Sequence, residues 1–411
     1  MFMNCNKTLV FYFPYREVGG VSVLFLRLAT ILSKSFKVIL MDFDNGYMAR
    51  NLPDNVKFVP FDQPELLPVN SVLILQSIPL WRIHKVSSFP RDIDVFFWNL
   101  HPDNLFPGLV SNHPSKTLFK FIAPLVNSFS FLRKRKIKNM LKVLLHKQSI
   151  AFMDLENKNK TYRYFNVPLD TYPLLPIMTG YENKTVINFA PIDDIKCLWL
   201  GRLEGFKVPI LLHTIDRLDG LSRKISLTIV GDGVSTSKIK EHASLCKHLN
   251  CNFVGTVPFD GLDSLIASHH IVFSMGTSAL EGAKNKIPTF CLDYSYQEIQ
   301  GLYKYKYLFD VKGFNVGEEI TSEHLEDVSS LDVEIEKLVN DFSAVSKNSY
   351  EYWKQHHSPN VITDKFLAHL RESSCTLHEL IVLGYSDEDF FTKLITKLHH
   401  PIENESGFIS R

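Results

Sequence analysis

The chain has 411 residues, with 45 Lys and Arg against 44 Asp and Glu and a formal net charge of +1. That length predicts two domains of ordinary size, each with its own core. The balanced charge excludes a nucleic-acid binder that works through its whole surface. The six cysteines (Cys5, Cys197, Cys246, Cys251, Cys291, Cys375) contain no C-x-x-C pair, and no His/Cys/carboxylate cluster has metal-ligand spacing. No secretory signal precedes the first apolar run and no run is long enough to span a membrane, so the expectation is a cytoplasmic protein without a bound metal.

In chain order, Thr8 to Phe13 reads as a strand and Pro14 to Glu17 as a loop. Gly19-Gly20 then opens a helix whose apolar residues Val23, Leu24, Leu28 and Ile31 keep helical spacing. The glycine pair has two readings: close backbone approach to a ligand, or a turn that needs positive φ. Neither G-x-G-x-x-G nor G-x-x-x-x-G-K-[ST] is present. Phe36 to Met41 is the next strand. Further on, Ile93 to Leu100 is a strand that delivers His101-Pro102-Asp103-Asn104 to its carboxyl end, where catalytic groups gather. His101 is therefore a candidate, the alternative being a histidine that hydrogen-bonds its own loop. Asp103 and Glu17 are the nearest carboxylates available as a base.

From Asn104 to Met153 there is no acid, while nine Lys or Arg occur, among them Arg133, Lys134, Arg135 and Lys136. Aromatic and aliphatic residues are interleaved with them. Residues 116–147 read either as a surface for an anionic membrane or as a helix with a solvated basic face. Thr179 to Asp194 is polar and rich in turn formers, and marks a domain boundary. Past Leu331 the chain becomes helical.

The carboxyl-terminal half carries the denser signal. Ile195 to Gly201 is an apolar strand with Arg202 at its exit and Lys207 five positions on, at the start of a helix. Cys197 and Cys291 lie inside apolar strands and read as buried thiols. Leu227 to Gly233 is again a strand running into a glycine turn. His270 to Phe273 is a strand followed by Gly276, Thr277 and Ser278, a helix from near Ala279, and a further strand from Ile287 to Leu292. Small residues delivered onto a helix N-terminus make an anion site, to which Arg202 and Lys207 would add cations. Glu281, one turn into the helix, could accept hydrogen bonds from vicinal hydroxyls such as those of a ribose. A second reading makes Ser278 the helix cap and Glu281 the partner in an S-x-x-E capping box.

On Gly201-Arg202-Leu203 with Lys207, Ile229 to Gly233, Asn252 to Val257, and Leu280-Glu281-Gly282-Ala283 with Ile287-Pro288-Thr289, the chain resembles the retaining family-4 glycosyltransferases of the GT-B fold. The match is good over about residues 195–300 and looser in the first half. The resemblance implies an α/β protein of two doubly wound, Rossmann-like domains facing an interdomain cleft. Residues 1–180 would be the acceptor-side domain, 181–194 a linker and 195–346 the nucleotide-sugar donor domain. Residues 347–411 would be helices of the kind that often cross back to the first domain. It implies that Arg202 and Lys207 hold the donor diphosphate together with Gly231 and the amides of Gly276, Thr277 and Ser278. Glu281 would hold the ribose, and the segment ending at Val257 would pass the nucleobase. The Gly19-Gly20 loop would lie across the cleft from the phosphates, and His101 near the transferring sugar or acceptor. No metal or cofactor is implied beyond the nucleotide sugar as co-substrate.

The sequence departs from the family at one point. Members usually carry a second Glu eight positions before the ribose-binding one, in contact with the donor sugar; here that position is Phe273. The expected activity is transfer of a sugar, hexosyltransferase in type, from a nucleotide-diphosphate sugar to a hydroxyl of a glycan or lipid-linked acceptor. Surface polysaccharide or lipopolysaccharide synthesis is the implied setting, in the cytoplasm or peripherally on the inner face of the membrane. Three rivals stand beside it: a sugar-nucleotide epimerase of similar fold, a non-catalytic nucleotide-sugar binder, and a membrane-associated scaffold.

Overall fold

Short runs rich in β-branched and aromatic residues form two mainly parallel sheets, whose inner strands Thr8–Tyr12, Val38–Asp42, Ser71–Gln76 and Ile271–Ser274 are buried on both faces. In the computed structural model the described residues are 7–105, 119–168, 172–182, 194–203, 205–325 and 330–387. They divide into two units, Met1–Pro176 with Thr363–Arg411, and Ile177–Ile362.

The first unit runs β1 (Thr8–Tyr12), α1 (Gly20–Leu32), β2 (Val38–Asp42), α2 (Tyr47–Arg50), β3 (Lys57–Pro60), β4 (Ser71–Gln76), β5 (Asp94–Asn99), α3 (Phe119–His146), β6 (Ile150–Phe152) and α4 (Leu155–Phe165). Its sheet has the order β3-β2-β1-β4-β5-β6, parallel throughout. Helix α1 buries Leu24, Phe25, Leu28, Ala29 and Leu32, three and four apart, which is why this segment winds as a helix on the sheet.

The second unit runs β7 (Asp194–Leu200), α5 (Val208–Asp219), β8 (Lys224–Val230), α6 (Thr236–Ala243), β9 (Asn250–Gly255), α7 (Phe259–Ala267), β10 (Ile271–Ser274), α8 (Thr277–Lys284), β11 (Thr289–Cys291), β12 (Lys306–Tyr307), α9 (Leu331–Asn340) and α10 (Phe342–His356). The sheet order is β12-β11-β10-β7-β8-β9, with only β12 antiparallel. Alternation sorts the strand residues between two cores. Cys197, Trp199, Ile229 and Phe273 pack with Ile210, Leu211 and Ile215 of α5, while Leu198, Leu200, Val230 and Val272 pack with Leu262 and Ile266 of α7. Cys197 and Cys291 are fully buried.

Helix α11 (Pro359–Glu372) and α12 (Leu377–Val382) close the described chain. Within the first unit Phe366 stacks on Phe11 and Trp98 at 6.0 and 5.9 Å. The Val95 N–H donates to Cys375 O, and the Leu377 N–H to Ile93 O, both at 2.9 Å. The part of the expected linker at 183–193 and the tail from 388 lie outside the described residues. Among the described residues no helix is long and apolar enough to cross a membrane.

Both sheets reverse strand order beside their first strand, between β1 and β4 and between β7 and β10. In open parallel sheets the carboxyl ends at that reversal form the ligand crevice.

Candidate active site

At the reversal in the second unit, the strand exits are tied together by their backbones. The Gly201 N–H donates to Val230 O at 3.0 Å, the Gly231 N–H to Gly255 O at 2.9 Å, and the Leu203 N–H to Asp232 O at 3.0 Å. Gly231 has φ +130°, and a β-carbon built on it would lie 2.1 Å from Gly201 O, so only glycine lets β7 and β8 leave the sheet this close together. The Asp232 carboxylate accepts from the Thr256 N–H at 2.8 Å and from Thr256 Oγ1 at 2.9 Å, which fixes the turn after β9. Gly231 therefore shapes this edge through its backbone.

Arg202 is exposed at the β7 exit, and Lys207 is the half-buried N-cap residue of α5. A β-carbon built on Gly201 would lie 3.6 Å from Lys207 Nζ, so the ammonium reaches back over the same exit. Across the reversal, Ser274 Oγ donates to Leu200 O and fastens β10 to β7. Gly276 then turns with φ 65° and ψ −146°, a conformation that L side chains rarely adopt, and becomes the N-cap residue of α8. Its N–H donates to Val316 O at 2.6 Å, so it is committed to the fold rather than to a ligand. The half-buried Thr277 and Ser278, as the first helical residues, have amides with no intrahelical acceptor. Two cations and one helix N-terminus thus follow the carboxyl ends of adjacent strands.

Glu281 is 5% exposed, and its Oε2 lies 2.7 Å from Lys284 Nζ, which also pairs with Asp263 Oδ1 at 2.7 Å. Asn285 Nδ2 donates to the same Asp263 oxygen at 2.8 Å. The capping-box reading is overturned, because α8 starts at Thr277 with Gly276 as its N-cap and no side-chain cap. Phe273 is fully buried and stacked on Phe290 at 5.1 Å, deep in the core rather than at the strand exit. Val257 is half-buried against the cluster of Leu262 and Ile266.

In the first unit, Gly19 is the extended N-cap of α1 (φ −140°, ψ 159°) and Gly20 the first helical residue, so the positive-φ reading of this pair is corrected. The Gly19 N–H donates to Ser22 Oγ at 3.0 Å, and Ser22 Oγ donates to Gly19 O at 2.9 Å. His101 is exposed, and its Nδ1 accepts the Asp103 N–H at 3.3 Å, the loop-ordering contact that stood as its alternative role. Asp103 and Glu17 are exposed.

Of the basic stretch, 116–118 lie outside the described residues, and from Phe119 to Ser130 only the helical backbone is described. Beyond it Phe131 and Leu132 are 64% and 60% exposed. The four-residue basic run is not a uniform solvent face. Arg133 is buried, Lys134 lies over the Tyr164 ring at 4.3 Å, and Lys136 donates to Asp387 O at 2.5 Å, leaving Arg135 exposed.

Two charged sites escape the sequence argument. Asp42, the last residue of β2, is fully buried and accepts the backbone N–H groups of Tyr15, Phe43 and Met48 at 2.7, 2.8 and 2.9 Å, ordering the loop before Gly19. Burial pushes its carboxyl up to about 6, against the opposing pull of those amides. Asp293, Lys306, Glu318 and His324 form a second network. Lys306 Nζ is 3.0 Å from both carboxylates, and His324 Nε2 is 3.2 Å from Glu318 Oε1. Asp293, Glu318 and His324 could be grouped as metal ligands, but the Lys306 ammonium between the carboxylates already supplies the positive charge. A shared sequence signal marks both sites: an acid directly after an apolar strand run.

Several solved structures share this architecture. HepE of Anabaena in complex with UDP and glucose superposes with TM-score 0.54 at 13% identity, over 89% of this chain and 100% of that one. The lipopolysaccharide outer core galactosyltransferase WaaB gives 0.55 at 11% identity, over 90% and 100%. WaaG, a glycosyltransferase involved in lipopolysaccharide biosynthesis, gives 0.50 at 13% identity, over 87% and 98%. HepE has also been crystallised with UDP-glucose. No protein-family profile and no curated protein matches the sequence. At these identities the likeness is one of fold, and the fold is GT-B.

Proposed function

We propose that the chain is a nucleotide-sugar-dependent glycosyltransferase of the retaining, family-4 type. The observation that carries this reading is the placement of Arg202, Lys207 and the α8 N-terminus after adjacent strands at the strand-order reversal of the second sheet. As the bond from sugar to phosphate breaks, negative charge grows on the leaving diphosphate. Fixed cations and helix amides stabilise that charge more in the transition state than in the bound donor. Glu281 takes the ribose hydroxyls, the turn after β9 with Val257 takes the base, and Gly231 keeps the edge open. The HepE complexes with UDP and UDP-glucose support a uridine nucleotide as the first ligand to try.

In this reading the second unit is the donor domain, and the first supplies the acceptor side through the Gly19-Gly20 loop and His101. The acceptor is a hydroxyl of a glycan or lipid-linked sugar. A hexose donor and a role in surface polysaccharide or lipopolysaccharide synthesis draw support from the WaaB and WaaG likeness. Peripheral attachment to the inner face of the membrane draws support from exposed Phe131, Leu132 and Arg135 on α3.

Burial of Phe273 favours a second reading, nucleotide-sugar binding without turnover, since no carboxylate stands at that position. One experiment addresses both. UDP-, GDP-, CMP- and dTDP-sugars are screened for thermal stabilisation, where a ligand at a hundredfold excess over Kd adds about 2.7 kcal/mol. The donor that stabilises is then followed for release of nucleoside diphosphate with glycan acceptors. Stabilisation with release supports the transferase, and stabilisation without release the binding protein. No stabilisation by any nucleotide sugar overturns both.

A further inference from the structure

Next to the cations, the edge of the second sheet carries an aromatic group that the roles above leave unused. Phe206 directly precedes Lys207, and Tyr294 and Tyr296 follow β11. The Ser295 N–H donates to Phe206 O at 3.1 Å, which draws the loop after β11 across to the loop after β7. The sheet order β11-β10-β7 places the β10 exit, and with it Gly276, between those two loops. The three rings meet edge to face, with centroids 5.0 Å apart for Phe206–Tyr294, 6.1 Å for Phe206–Tyr296 and 6.0 Å for Tyr294–Tyr296.

Phe206 and Tyr294 are half-buried against the core, while Tyr296 is 70% exposed. Its turn is pinned: Ser295 Oγ accepts the Gln297 N–H at 3.0 Å and donates to Gln297 O at 2.7 Å. A large aromatic ring held out to solvent by a fixed turn and backed by two further rings, one of them the residue before Lys207, has the form of a recognition platform.

We propose that Phe206, Tyr294 and Tyr296 form the subsite for the sugar ring of the nucleotide sugar, with Tyr296 as its contact face. The inference rests on the donor-site reading above. A pyranose presents a face of C–H bonds and a rim of hydroxyls. The Tyr296 ring matches the first and its phenol the second, since a tyrosine joins an apolar body to a polar tip. The platform also answers the burial of Phe273. With no carboxylate at that position, a ring on the neighbouring loop takes over contact with the sugar.

The test compares titrations of UDP and of the best-stabilising nucleotide sugar from a panel of UDP-glucose, UDP-galactose, UDP-N-acetylglucosamine and GDP-mannose, with GDP as the reference for the last. Tyr296→Ala should weaken the nucleotide sugar about tenfold and leave the free diphosphate within about twofold. Tyr296→Phe should keep most of the affinity. The side chain is 70% exposed, so Tyr296→Ala should stay folded although it loses the ring contacts, which melting of both variants checks. Unchanged affinity for both the nucleotide sugar and the diphosphate in Tyr296→Ala overturns the subsite and leaves the donor site standing. Equal weakening of both ligands also overturns it and assigns Tyr296 to the base or the phosphates. No binding of any nucleotide by wild type overturns the donor-site reading itself, and the subsite with it.

Discussion

Glu281 shows what single residues hold and hide. Its place one turn into a helix was legible from the spacing. Its burial with Lys284 was not, because the pair is completed by Asp263 from α7, a helix that arrives from elsewhere in the fold. That pairing changes what a substitution reports. Glu281→Gln leaves Lys284 buried with only the partly exposed Asp263, and should cost about 1–3 kcal/mol of stability whatever the function. Loss of stability is therefore uninformative. The discriminating readout is the preference for a ribonucleoside diphosphate over its 2′-deoxy analogue. Wild type should show that preference and Glu281→Gln should lose it, since a neutral amide is the poorer acceptor for two hydroxyls. A preference unchanged in the variant, measured by titration calorimetry, removes Glu281 from the ribose.

At the scale of elements, the segment 315–320 is held to the strand exits by a backbone hydrogen bond and by charge. Val316 O receives the Gly276 N–H, while Glu318 joins Asp293, Lys306 and His324. The hydrogen bond from His324, with the Lys306 ammonium, holds Glu318 down to about 2, and the same bond raises His324 above its ordinary value. A depressed acid contributes stability above its unfolded value of 4.5 and loses it as pH falls towards 2. A raised histidine contributes below 6.5 and loses it as pH rises through its folded value. The network should therefore be strongest between those two unfolded values. His324→Gln should lower stability there by about 1–2 kcal/mol, less than a fully buried charged bond because Glu318 is partly exposed. The gap between wild type and variant in thermal melts should narrow towards pH 3 and pH 9; a gap constant across pH would refute the assignment. Sequence could not show this network, whose members are up to 31 positions apart and meet only through β11–β12 pairing and the following loop. Helix α3 is the converse case. Its basic, aromatic character was legible, but which cations are available was not, since Arg133, Lys134 and Lys136 are engaged within the first unit. The membrane reading is accordingly tested with Phe131→Ser, Leu132→Ser and Arg135→Gln. Wild type should co-sediment with phosphatidylserine vesicles at low salt and detach at molar salt, where screening shortens to about 3 Å; the triple variant should stay in solution. Failure of wild type to sediment at low salt would leave α3 as a solvated helix.

For the whole molecule, alternating strands and helices pointed to two doubly wound sheets, and glycine turns after strands pointed to their carboxyl edge. The strand order was beyond reach, because crossovers rather than local pattern decide which strands become neighbours. The family resemblance raised the return of the last helices to the first domain, but which residues they would meet was hidden. Phe366 lies against Phe11 and Trp98, and Cys375 pairs with Val95, contacts between chain positions more than 250 apart. In the proposed donor site Arg202, Lys207 and the α8 amides hold a nucleoside diphosphate and stabilise it as a leaving group. Its most direct test is titration of UDP and GDP into wild type, Arg202→Ala and Lys207→Ala, with turnover followed on the donor that binds. Wild type should bind saturably, both variants more weakly, and turnover should fall by about two to three orders of magnitude in each, with both variants still folded. Wild-type protein that binds neither diphosphate, or variants that bind and turn over like wild type, would contradict it.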